Sequence, residues 1–146
     1  PGIGMGRDPQ RTPMPWDDSP QCGFTTDKPW LPMGEANRAV NVQSSSKQPD
    51  SMLAFYQRLL ALRRAEPTLV SGQLSEVSSR DGVLQFVRSD SKKRLRVVLN
   101  FAEEARRVAM PRGVISACTN LRREGEAEDK ALYLERAEGV IFEELA

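Results

Sequence analysis

Beyond Leu69 the apolar residues alternate with polar ones, and this period of two limits the possible folds more than any other sequence feature. Such alternation is typical of β-strands that bury one face and expose the other. The predicted strands read QLSEVS, VLQFVRS, RLRVVLNF, RRVAM, VISACTN, ALYLE and GVIFEEL. Turn signals separate them at residues 80–82, 89–91, 111–113 and 138–139. Six or seven short strands predict an antiparallel β-sandwich, and the charged residues 122–130 are predicted to form a loop.

One helix is predicted before these strands, in the segment DSMLAFYQRLLALRRAEP that begins at Asp50. Asp50 or Ser51 is expected to cap its free N–H groups, and Pro67 bars its continuation. The apolar residues of the helix form one stripe at helical spacing: Met52, Phe55, Tyr56, Leu59, Leu60 and Leu62. Helix and strands together place the chain in the α+β class.

Residues 1–49 show neither the helical spacing nor the strand alternation of apolar residues, and they are rich in proline. An irregular stretch of this length is expected to be functional or to pack on another part of the protein. Proline fixes the backbone angles of Thr12–Pro15, so the segment suits a site that needs a fixed charge. Arg7 and Arg11 are each able to form a bidentate pair with a carboxylate, and Trp16 and Trp30 to stack on a sugar ring. Spacing alone favours the alternative that the arginines form structural ion pairs and the tryptophans lie in a core.

Composition excludes several classes of function. The sequence contains no histidine, which excludes Ser-His-Asp and Cys-His catalysis and histidine-ligated metal sites within this chain. Charged residues make up 28% of the sequence but their net charge is only +1, which argues against binding to nucleic acid or to a membrane surface. No apolar run is long enough for a transmembrane helix. We expect no cofactor and no metal site.

The two cysteines, Cys22 and Cys118, lie far apart and form no CxxC motif. A disulfide between them stays possible, but cysteine usage favours free buried thiols in a reducing cytoplasm. We therefore expect a cytoplasmic protein.

The first segment, GRDPQRTPMPWDDSPQCGFTT over residues 6–26, followed by PWLP at 29–32, carries a family resemblance. It is similar to the α-glucosidase branch of glycoside hydrolase family 13, the α-amylase family, whose pattern reads G-R-D-x-x-R-T-P-M-x-W-D, then A-G-F-(S/T), then P-W. The helix resembles that family's D-x-x-S-x-L-x-x-Y-x-x-L-I-x-L-R. This sequence departs from the pattern at Cys22, where the family usually has alanine, and at Pro15, where glutamine is frequent.

The resemblance implies an architecture and a chemistry. Members carry a (β/α)8 catalytic barrel followed by an antiparallel β-sandwich, domain C. Residues 1–66 would then be the end of the barrel, with an active-site loop and the last helix, and residues 67–146 would be domain C.

Members of the family are retaining glycoside hydrolases, which need two carboxyl groups about 5 Å apart. No segment here matches the motifs of those carboxylates, so we expect them upstream of Pro1, in a longer parent enzyme, and this chain alone to be inactive. Asp8, Asp17 and Asp18 are interpreted as turn-forming, capping or Arg11-pairing residues.

One binding role follows from the resemblance. In exo-acting members the first arginine of the motif pairs with an aspartate and contacts the terminal glucose, and the matching residue is Arg7. Arg11 either contacts substrate or braces the loop, and Trp16 and Trp30 are interpreted as packing anchors. The implied partners are the upstream barrel and an α-glucoside oligosaccharide or sucrose.

Alternatives stay open. A transglucosylating relative, trehalose synthase or sucrose isomerase, would share these motifs. A stand-alone, non-catalytic sandwich that binds glycan or protein is the other class. We expect Phe86, Phe101 and Phe142 to be core residues, and their burial would argue against glycan binding by the sandwich. The arginine pairs 106–107 and 122–123 are expected on a solvated face. The helix face of Met52, Phe55, Leu59 and Leu62 would lack its barrel neighbours, so the isolated chain is a candidate homodimer.

Overall fold

The computed structural model describes Gly6, residues 8–120 and residues 123–145. The chain divides into two compact units, Pro1–Gln57 and Arg58–Ala146. Among its described residues the first contains two short 3₁₀ helices, Asp8–Arg11 and Glu35–Arg38, a tight turn at Pro20–Gly23, and helix α1, Val42–Ser46. Helix α2, Met52–Ala65, leads into the second unit, which contains α3, Pro67–Ser71, and six strands. These are β1 Gln73–Arg80, β2 Val83–Ser89, β3 Arg94–Asn100, β4 Arg106–Cys118, β5 Ala127–Leu134 and β6 Gly139–Glu144. The α+β class is confirmed.

Helix α2 begins and ends where its capping residues predict. The Ser51 hydroxyl accepts the backbone N–H of Ala54 at 3.1 Å, so Ser51 acts as the cap. Pro67 lies in the first turn of α3. N–H groups in the first turn have no intrahelical acceptor, so a proline, which lacks the N–H, is tolerated there. Apart from this proline, no sequence signal indicates α3.

Half of the apolar stripe of α2 is exposed in the described chain. None of its residues is buried, and Met52, Tyr56 and Leu60 are exposed at successive four-residue spacings. A stripe of this kind normally packs against another element.

The six strands form one antiparallel sheet in the order β1-β2-β3-β6-β4-β5. Where the sequence predicted a β-sandwich, the described strands thus form one continuous hydrogen-bonded sheet. Asp81 and Gly82, both at positive φ, close the β1–β2 hairpin at the predicted turn.

Strand β4 corrects two predictions. Residues 106–110 and 114–120 were predicted as separate strands, but one strand, Arg106–Cys118, spans both. The predicted turn at 111–113 is a β-bulge with a register shift between Met110 and Gly113. A bulge tolerates Pro111, which has no N–H to donate. Strand β5 begins at Ala127, inside the predicted charged loop, because an edge strand exposes one face to water.

The core of the second unit is one cluster of buried apolar side chains. Its buried residues come from β2 to β6: Val83, Val98, Met110, Ile115, Cys118, Leu132, Leu134, Val140 and Phe142. Phe142 is fully buried, as predicted, and Phe86 is partly buried. The prediction for Phe101 is wrong: it is 70% exposed, because β3 ends at Asn100 and Phe101 begins the connection to β4.

Helix α3 is fixed to the sheet by polar contacts. The buried Thr68 hydroxyl donates to Asp90, which follows β2. Lys93 forms ion pairs with Glu66 at 2.8 Å and with Glu143 of β6 at 3.3 Å. No described helix is long and apolar enough to span a membrane.

Candidate functional site

The two arginines predicted to bind substrate belong to the first unit. Arg7 lies outside the described residues. Arg11 is the last residue of the 3₁₀ helix that begins at Asp8, and it is exposed. Arg11 forms no ion pair with any described residue, so within this part of the chain its guanidinium N–H groups are available to a ligand.

The backbone that follows Arg11 is held in a tight turn. The Trp16 N–H donates to the Cys22 carbonyl at 2.8 Å, and the Cys22 N–H donates to the Ser19 carbonyl at 2.8 Å. Gln21, Cys22 and Gly23 all have positive φ, at 58°, 53° and 66°. Left-handed backbone is unfavourable for residues with a Cβ, so these contacts hold a conformation that glutamine and cysteine rarely adopt.

Helix α1 anchors the same turn. The N–H groups of Val42 and Gln43, which a short helix leaves free at its start, donate to the carbonyls of Pro15 and Trp16 at 3.0 and 2.9 Å. Asn41 caps α1 by accepting the Ser44 N–H at 2.8 Å, and Ser44 accepts the Asn41 N–H in return. Asn41 is buried. Sequence reasoning missed it, although asparagine is one of the preferred residues at a helix N-cap.

Three aspartates, Asp8, Asp17 and Asp18, lie near Arg11 in the sequence. Asp17 accepts the Ser19 N–H at 2.9 Å and the Ser19 hydroxyl, and these hydrogen bonds hold the pKa of Asp17 below its usual value. A lowered pKa does not suit a general acid, and the two hydrogen bonds from Ser19 are those of a turn residue. Asp8 lies in the first turn of a 3₁₀ helix and Asp18 is exposed. The described residues include no cluster of metal-ligating side chains.

Both tryptophans of the first unit are exposed. Trp16 is 51% and Trp30 74% exposed, and Met14 and Phe24 are exposed as well. Neither tryptophan is buried within this chain, and their role as packing anchors in a longer enzyme stays a prediction. They present apolar surface in the same unit as Arg11.

Cys22 borders a pocket of about 390 Å³ that sequence reasoning missed. Its lining residues are Gln21, Cys22, Met33, Gly34, Glu35 and Arg38. Cys22 and Cys118 are both free and buried, which confirms the prediction of free thiols. Glu35 and Arg38 do not belong to any motif that the sequence analysis identified.

Known proteins share this arrangement. Residues 3–72 match the family described as "Alpha amylase, catalytic domain". This part of the chain belongs to the α-amylase family. The match covers the arginine motif, the turn at Cys22 and helix α2.

Curated members of the α-amylase family extend the match along the chain. The glucan 1,6-α-glucosidase of Streptococcus pneumoniae is 37% identical over 100 residues, which are 68% of this chain and 19% of that enzyme. The oligo-1,6-glucosidase of Parageobacillus thermoglucosidasius is 32% identical over 111 residues, 75% of this chain and 20% of that enzyme. The chain thus spans about a fifth of the curated relatives that it matches.

Solved structures agree with this assignment. The trehalulose synthase of Pseudomonas mesoacidophila MX-45 matches with a TM-score of 0.83 and 30% identity, over 94% of this chain and 26% of that enzyme. These relatives are glucosidases and sugar-transforming synthases, which supports a glycoside hydrolase family origin.

Proposed function

We propose that this chain is the C-terminal part of an α-glucosidase-like retaining glycoside hydrolase. The observation that carries the proposal is the match of residues 3–72, with the R-x-x-R-T-P-M-x-W motif, to the α-amylase catalytic domain. The intact enzyme removes terminal α-linked glucose from oligosaccharides or sucrose. Its nucleophile and its acid/base carboxyl group belong to the part of the barrel that precedes Pro1, so residues 1–146 alone are inactive.

In this proposal Arg7 contacts the terminal glucose. Its guanidinium forms a planar, rigid pair with a carboxylate from the barrel, and the edges of that pair donate and accept hydrogen bonds with sugar hydroxyls. A pocket closed in this way admits only a chain end. Arg11, which is exposed and without an ion pair among the described residues, is the second candidate for substrate contact.

The exposed half of the apolar stripe on α2 supports an upstream barrel as the partner. Met52, Tyr56 and Leu60 expose between half and about two thirds of their surface. Burying them against barrel helices would remove this apolar area from water. An isolated chain would instead bury it in a homodimer, which we propose as its state when it is expressed alone.

A transglucosylating enzyme is the second candidate. The structural matches include a trehalulose synthase and the isomaltulose synthase of a Klebsiella species, at 30% and 26% identity. Both classes use a glycosyl-enzyme intermediate and differ in whether water or a sugar accepts the glucosyl group. We further propose a cytoplasmic location, because both cysteines are free.

The test is an activity assay on the intact parent protein with isomaltose and with sucrose. Glucose release from isomaltose supports the glucosidase, and formation of a sucrose isomer supports the transglucosylating enzyme. Turnover of neither sugar contradicts both. We expect Arg7→Ala to lower kcat/KM by about 10- to 100-fold through loss of a charged hydrogen bond. Arg64→Ala, at an exposed arginine of α2, is the matched control.

A further inference from the structure

The second unit has a pocket at one end of its sheet, lined by residues outside the α-amylase match. Its volume is about 270 Å³. It lies where β3 ends, where β4 ends, and where β5 turns into β6. The lining residues are Leu99, Asn100, Phe101, Ala102, Glu103, Thr119, Arg136, Ala137, Glu138 and Gly139.

Phe101 gives this pocket an exposed aromatic ring. Phe101 is 70% exposed, so its ring offers an apolar face in a concave site, and ligand pockets are typically lined by apolar and aromatic side chains. Leu99, Ala102 and Ala137 add apolar lining. A ligand with an apolar face is therefore favoured.

The polar groups of the pocket are balanced in charge. Arg136 Nη2 lies 2.7 Å from Glu103 Oε2, and both side chains are mostly exposed. The second carboxylate, Glu138, is neutralised by Arg123. A charge-balanced pair does not favour an anion or a cation. It favours a neutral ligand that both donates and accepts hydrogen bonds.

Thr119 supplies a further donor. Its hydroxyl oxygen accepts the Gly139 N–H at 3.1 Å, and its own O–H has no acceptor among the described residues. A hydroxyl-bearing ligand in the pocket would satisfy it.

The loop that carries Phe101 and Glu103 is held in place by the residue that precedes it. Asn100 is buried, and its amide donates to the carbonyls of Glu104 and Glu135 at 2.9 Å each. Its side-chain oxygen accepts the Ala102 N–H at 3.0 Å. Preorganisation of this kind lowers the cost of binding.

We propose that this pocket binds a glucopyranose ring of an α-glucan. The C–H face of the sugar stacks on Phe101, and its hydroxyls bond to the Arg136–Glu103 pair and to Thr119. The volume lies just below the range of small-molecule sites, roughly 300–1,000 Å³, and suits one sugar ring. The choice of glucose rests on the proposed function, whereas the choice of a neutral polyhydroxylated ring rests on the pocket itself.

The test is native electrophoresis of the intact protein in gels that contain dextran or glycogen. We expect the glucan to retard the protein, and Phe101→Ala or Arg136→Gln to weaken binding by about three- to tenfold. Phe101→Trp should retain binding, which separates loss of stacking from loss of fold. Retardation should also persist in Arg7→Ala.

Two control variants sharpen the result. Tyr133→Ala removes another exposed aromatic ring of this unit that does not line the pocket, and Glu104→Gln removes the neighbouring carboxylate, which pairs with Arg106 outside it. Both should bind normally. Absence of retardation, or equal retardation of wild type and a Phe101→Ala/Arg136→Gln double variant, would overturn the proposal. The isomaltose assay tests the proposed function separately: retardation through Phe101 without hydrolysis supports the pocket and contradicts the glucosidase.

Discussion

The carboxylate of Glu138 accepts two hydrogen bonds from Nη1 of Arg123, at 3.1 and 3.2 Å. The Cys118 thiol and the Glu135 N–H also donate to it, at 3.0 and 2.7 Å. Only 3% of the Glu138 side chain and 17% of the Arg123 side chain are exposed. Arg123 therefore links the segment after β4 to the β5–β6 turn. The prediction that Arg123 lies on a solvated face is wrong; its neighbour Arg122 lies outside the described residues.

Arg123→Met is expected to destabilise the second unit by about 3 kcal/mol, because it leaves the Glu138 carboxylate buried without its cation. Urea unfolding followed by circular dichroism measures the change. Glu104→Gln, which breaks an exposed ion pair with Arg106, should cost less than about 1 kcal/mol. Similar losses in the two variants would contradict the role given to Arg123.

Glu138 is expected to make stability fall in acid. Burial raises the pKa of Glu138, but hydrogen bonds from Cys118, the Glu135 N–H and Arg123 outweigh burial and lower the pKa below the ordinary value of 4.5. A group whose pKa is lower in the folded state stabilises fully above its unfolded pKa and loses that contribution as pH falls through the folded pKa. The free energy of unfolding should thus drop below about pH 4.5. Glu138→Gln should show a shallower drop over the same range.

Cys118 is expected to make stability fall in alkali. Burial, and then the hydrogen bond to Glu138, raise the pKa of the Cys118 thiol from 9.0 to about 12. The folded state keeps this proton after the unfolded chain has lost it, so stability declines as pH rises from about 9 towards 12. Unfolding measured at pH 8 to 11 in wild type and Cys118→Ala isolates the effect. An identical slope in both proteins would contradict it.

Gly113 is required by the ring of Phe142. A Cβ at this position would lie 2.3 Å from Phe142 Cε1 and 2.2 Å from the Glu143 carbonyl oxygen. Gly113→Ala is therefore expected to destabilise by roughly 2 kcal/mol or more, as read from the thermal midpoint. Gly34→Ala is the control, because its Cβ would meet nothing closer than 3.5 Å. Equal midpoints for the two variants would contradict this packing.

The strands and the main helix were predictable because local rules decide them. Alternation defined β2, β3 and β6 closely, and Ser51 and Pro67 bounded α2. The arginine motif by itself indicated the family, because its residues follow one another along the chain and need no tertiary contact to be read.

The remainder depends on tertiary context that one sequence does not show. Pro111 reads as a turn, but a bulge opposite β5 accommodates it within β4. The sequence pattern predicts Phe101 to be a strand residue, but β3 ends at Asn100. The sequence predicts Arg123 to be a surface charge. Its partner Glu138 is identified only in the folded structure, where the β5–β6 turn lies next to Arg123.

The most direct test of the central claim is the intact mass of the native protein, isolated from its own cells with an antibody against residues 73–145. We predict a species several times heavier than the 16.3 kDa of this chain, because the proposed function requires catalytic carboxylates from an upstream barrel. A native species of 16.3 kDa would contradict the account and favour a stand-alone, non-catalytic binding protein.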